Sequence, residues 1–67
     1  AAVGDAVRKL PTAYREVIVL RYLEELSVER VGEILGLRPN TVNVRLMRAR
    51  QRLRERLGPM SVDVGEI

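Results

Sequence analysis

Sixty-seven residues with no cysteine and no histidine leave room for one small domain and exclude disulfides, zinc fingers, thiol nucleophiles and imidazole bases together. Hydrophobic residues at 46% and charged residues at 31% suit a folded domain, but a chain so short buries only about 60% of its unfolded surface and depends on well-packed helices. The net charge of +3 hides one arginine-rich segment that holds nearly all the positive field, which points to a polyanion partner; Tyr14, Tyr22 and scattered carboxylates form no nucleophile–base pattern, so no enzyme is expected.

The chain opens at Ala1 rather than methionine, with no signal-peptide pattern and no apolar run near the roughly 20 residues of a membrane span. A cytosolic fragment or processed chain with no membrane contact is therefore expected. The first helix is placed at residues 1–9, from about Ala2 to Lys9, and ends before Leu10-Pro11 because a residue preceding proline avoids helical angles. Thr12 is read as the N-cap of a second helix over 12–23, with Ala13, Val17, Leu20 and Leu23 facing inward. By composition Val17-Ile18-Val19-Leu20 also suits a short strand, but its helical flanks and the lack of a partner strand favour helix.

Glu24-Glu25-Leu26 is a short connection. Ser27 caps a third helix over 27–35, with Glu29 in its first turn and Val28, Val31, Ile34 and Leu35 at helical spacing. Gly36 stands where a helix C-terminus takes a left-handed residue. Pro39 fits the first turn of a fourth helix, which runs over 39–57 to Gly58-Pro59. Residues 58–67 form a tail; Met60–Ile67 has no strong pattern and is expected to be loosely held. The expected fold is all-α, a four-helix bundle forming one domain over 1–67.

Helices three and four, joined through Gly36, have the spacing of a helix-turn-helix with a long C-terminal recognition helix. Gly32 supplies a small residue where two helices cross closely, and Val42 and Leu46 can anchor against Val31 and Leu35. Residues 1–37 carry five basic and six acidic side chains, whereas 38–57 carry seven arginines and only Glu55. At about 100° per residue, Val42, Leu46, Ala49, Leu53 and Leu57 form a core stripe. Val44 lies nearly opposite, with Met47, Arg48 and Gln51 beside it; Asn43, Arg50 and Arg54 take one flank, and Arg45, Arg52 and Arg56 the other.

Apolar Val44 and Met47 on the solvent side need a reason, and entry into a DNA major groove supplies one. Asn43 is the candidate for an adenine edge, Arg48 for guanine, and Val44 or Met47 for a thymine methyl. Arg38, Arg45 and the backbone amides near Asn40 and Thr41 are candidates for phosphates. The competing reading is a solvated helix with single exposed aliphatics. Arg50, Arg52, Arg54 and Arg56 scatter around the helix and are read as solvation and general attraction, not as a site.

From Leu10 to Leu57 the sequence resembles the C-terminal, promoter-binding domain (region 4) of bacterial sigma factors, the extracytoplasmic-function group in particular. The resemblance rests on Leu10-Pro11, Arg15-Glu16-Val17, Leu20-Arg21-Tyr22-Leu23, Leu26-Ser27, Ile34-Leu35-Gly36, Thr41-Val42, Arg45-Leu46, Arg48-Ala49-Arg50 and Leu53. It implies recognition of the −35 promoter element, docking of the earlier helices on the flap of the RNA polymerase β subunit, and in some members an anti-sigma protein that covers the same surfaces. Carried over by position, Asn43, Val44, Met47 and Arg48 face bases, with Arg38, Asn40, Thr41 and Arg45 nearer the backbone. It also implies the bacterial cytoplasm, no cofactor, and chemistry left to the polymerase.

Many members carry Lys or Arg followed by Ser where this chain has Asn43-Val44, which implies a site richer in A·T pairs. The polymerase-facing surface is expected among Val7, Tyr14 and Ile18, with core packing the competing reading for each. Two other functions stay open: a helix-turn-helix regulator of the response-regulator or quorum-sensing type acting as a dimer through its last helix, and a protein-interaction bundle whose arginines meet an acidic partner.

Overall fold

In the computed structural model residues 2–58 are described, with side chains from position 4 onward; the expectation for Met60–Ile67 lies outside them. Four α-helices follow in order: α1 (Ala2–Arg8), α2 (Thr12–Ile18), α3 (Val28–Leu35) and α4 (Pro39–Leu57). Among the described residues there is no strand. The 19 residues of α4 make a rod of about 28 Å, close to the 33 Å long dimension of the molecule. The three shorter helices all pack against that rod.

Periodicity accounts for the core. Val42, Leu46, Ala49 and Leu53 are buried along one side of α4, and Leu57 is half-buried beside them. They meet Ala6 of α1, Leu10, Val17 and Ile18 of α2, and Val31 of α3 in one aliphatic cluster. Dispersion and burial of these side chains supply the main stabilisation, because no buried polar or charged side chain contributes among the described residues.

The second helix departs from expectation in three ways. Its N-cap is Pro11, and Thr12, the first helical residue, makes no capping bond. Its last turn, Val19–Leu23, is π-helical, with the Glu24 amide donating to the Val19 carbonyl at 3.0 Å and the Leu26 amide to Leu20 at 3.1 Å. A π turn takes one residue more per bond than an α turn and shifts the following side chains around the axis. Leu23, expected inward, is accordingly 72% exposed, while Ile18, which precedes the π turn, is 2% exposed, as its core-packing reading has it. Ala13 and Leu20 are half-buried. The chain then turns through Glu25 at φ 56°, a left-handed conformation that a non-glycine residue adopts at a cost.

Candidate nucleic-acid interface

The geometry of the interface is set by the turn between α3 and α4. Ser27 caps α3, its hydroxyl accepting from the Arg30 amide at 3.1 Å, and Val28 and Val31 place the helix on the core. Gly36 ends it at φ 71°, ψ 35°, the left-handed conformation that glycine adopts without a Cβ penalty. The amides of Gly36 and Leu37 both donate to the Gly32 carbonyl, the latter at 2.8 Å. A Cβ on Gly32 would lie 2.5 Å from the Leu37 carbonyl oxygen and 3.7 Å from Val42 Cγ2. The need for a small residue therefore comes chiefly from the turn backbone folding over the helix, and only secondarily from the α3–α4 crossing.

Pro39 occupies the first position of α4, with Arg38 as an N-cap that makes no side-chain bond to the first turn. Arg38 and Asn40 are exposed, and Thr41 is half-buried beside Val42. Past that turn, Asn43, Val44, Met47, Arg48 and Gln51 all lie on the side away from the buried stripe. Val44 is 40% exposed and Met47 56%. Arg45 is half-buried at the edge of the face. Among the described residues Arg38, Arg45 and Arg48 enter no ion pair and no side-chain hydrogen bond.

The later arginines divide differently. Arg50 is half-buried and donates through Nη1 to the Tyr22 hydroxyl at 2.9 Å, tying α4 to the π turn. Arg52 stacks its guanidinium 5.0 Å from the centroid of Tyr14. Two residues read as solvation thus lock helices together. Arg54 and Arg56 remain exposed. The residue spacing shows both cations on α4, but the tyrosines they meet lie 28 and 38 positions earlier, beyond any local pattern.

On the opposite side, α1 and the end of α2 enclose an apolar groove of about 500 Å³, lined by Val7, Ile18, Val19, Tyr22 and Leu23 with Arg8 and Arg15 at its rim. Val7 and Ile18 were expected on such a surface; Tyr14 instead faces Arg52. The missed residues are Val19, Tyr22 and Leu23, which the π turn brings to the opening. No group of acidic residues among those described can hold a metal ion, and no helix is long and apolar enough to cross a membrane.

The sequence model of the family described as sigma-70, region 4 matches residues 1–53. The chain is 49% identical over 55 residues to the ECF RNA polymerase sigma factor SigW of Bacillus subtilis, covering 82% of this chain and 29% of that protein. It is 42% identical over 53 residues to RNA polymerase sigma factor SigV of the same organism, covering 79% and 32%. With the RNA polymerase sigma-E factor of Streptomyces antibioticus it shares 40% identity over 63 residues, 94% of this chain and 35% of the other. The chain thus spans about a third of the length of these curated relatives.

Proposed function

Because the chain belongs to the sigma-70 region 4 family, we propose that it binds the −35 element of promoter DNA as part of a sigma factor, placing RNA polymerase for transcription initiation. The observation that carries this reading is the outer face of α4, where two exposed apolar residues, Val44 and Met47, sit among Asn43 and Arg48 beside arginines without internal partners. A major groove offers each of them a partner: a donor–acceptor edge of adenine for Asn43, the O6 and N7 atoms of guanine for Arg48, thymine methyls for Val44 and Met47. Arg38, Arg45 and the first-turn amides around Asn40 and Thr41 hold the flanking phosphates, which fixes the helix in the groove without reading sequence.

The apolar groove between α1 and α2 is the surface offered to the flap of the RNA polymerase β subunit, and an anti-sigma protein would act by covering these faces. On this reading the protein works in the bacterial cytoplasm and performs no chemistry of its own: the polymerase makes the bonds, and the domain supplies position. The family match does not favour a dimeric response-regulator or quorum-sensing type of regulator.

Selection from a pool of randomised duplexes tests the base assignments. The expected outcome is an enriched motif dominated by A·T pairs, with at least one G·C position whose preference disappears in Arg48→Ala. A motif of G·C pairs alone would contradict the roles given to Asn43, Val44 and Met47.

A further inference from the structure

Asn43, Met47, Arg50 and Arg54 follow one another at steps of four, three and four residues, which puts them on one stripe of α4. Arg50 lies about 10 Å along the helix from Asn43, close to the roughly 12 Å width of a major groove. A helix that sets Asn43 and Met47 on bases therefore brings Arg50 to the rim, where the phosphates of a strand run.

The surroundings of Arg50 suit such an anion. Arg50 is half-buried, and its Nη1 donates to the Tyr22 hydroxyl at 2.9 Å. Among the described residues it enters no ion pair. The Tyr22 ring borders the apolar groove and has the Arg21 guanidinium 5.4 Å from its centroid. Arg21 in turn donates to the Leu26 carbonyl at 3.2 Å, so the phenol is held from both sides. Its oxygen accepts from Arg50 and keeps its own proton to donate. Among the described residues neither that proton nor Nε and Nη2 of Arg50 meets an acceptor. No unpartnered polar side-chain atom is sealed from solvent there, so these donors are open to a ligand. A guanidinium and a hydroxyl donating side by side match the acceptor oxygens of a phosphate.

We propose that Tyr22 is a positioning residue that holds Arg50 for a phosphate of the DNA backbone, with the Tyr22 hydroxyl as a second donor to it. The site rests on the reading of α4 as a DNA-binding helix, but on none of its base assignments. It extends the interface from α4 to the π turn, beyond the eight residues assigned above.

The test is a salt titration of affinity for a scrambled duplex, read by fluorescence anisotropy. It compares the chain with Tyr22→Phe, Arg50→Gln and the double variant, and with Arg56→Gln on the other flank of α4. Helical circular dichroism in the assay buffers checks that each variant is folded, so that a slope change reports a lost contact. Arg50→Gln is expected to weaken binding roughly two- to fivefold and to make the log–log slope shallower by about one. Tyr22→Phe keeps every charge, yet should lose most of the same slope and add nothing in the Arg50→Gln background. Arg56→Gln should leave the slope in place. An unaltered slope in Tyr22→Phe overturns the positioning, even where Arg50→Gln weakens binding. An equal slope change in Arg56→Gln overturns the site, because net charge alone would then account for the effect. No binding by the unaltered chain overturns this proposal together with the DNA-binding reading, whereas binding with slopes untouched by these substitutions overturns this proposal alone.

Discussion

A methyl group on Gly32 would approach the Leu37 carbonyl oxygen to 2.5 Å, so the turn that aims α4 tolerates no side chain there. Gly32→Ala is expected to lower the unfolding free energy by about 1–3 kcal/mol in urea titration. Gly36→Ala meets no atom within 4 Å but must hold φ 71°, and costs about 1 kcal/mol. Ser27→Ala, which removes the α3 cap, costs about 1 kcal/mol. Gly36 and Ser27 could be read from the sequence because each acts within its own helix end. Gly32 could be recognised as a required small residue, but its partner could not, since the path of Leu37 exists only once the turn is formed.

The helices themselves follow from spacing, and α4 follows it throughout its length. The second helix does not, because its last turn is π-helical and no composition signal marks that change of period. Two substitutions separate the readings. Ile18→Ala removes a side chain that is buried in the core and should cost about 2–5 kcal/mol. Leu23→Ala, inward by simple periodicity but largely exposed in the fold, should change stability by less than about 0.5 kcal/mol. Both are read by urea denaturation. The tie between Arg50 and Tyr22 joins that π turn to α4, and Tyr22→Phe should cost about 1 kcal/mol. The eight DNA-facing candidates lie on or beside one helix, so the sequence alone groups them. The groove at α1 and α2 was half accessible: Val7 and Ile18 are apolar in the right helices, while Tyr22 and Leu23 reach the opening only through the π turn.

At the scale of the molecule, the arginine-rich helix and the apolar groove are two distinct surfaces. Residues 38–57 hold seven arginines against Glu55, and the apolar groove lies on α1 and α2. Such a division is what the proposed function asks for, one surface for a polyanion and another for a protein partner. Binding through about 4–6 phosphates should weaken linearly in log–log salt titrations, with a slope near −4 to −5. Arg38→Ala should weaken all duplexes alike and reduce that slope by about one.

The most direct test of the groove-reading face is fluorescence anisotropy on duplex DNA at several salt concentrations. It compares −35-like sequences with a scrambled control, using the chain and its Arg48→Ala variant. The predicted result is salt-dependent binding that prefers the −35-like duplexes, with the preference flattened in Arg48→Ala while salt-dependent binding to the scrambled duplex persists. No binding to any duplex at low salt, or a preference untouched by the substitution, would contradict the assignment of Arg48 and of the face it shares with Asn43, Val44 and Met47.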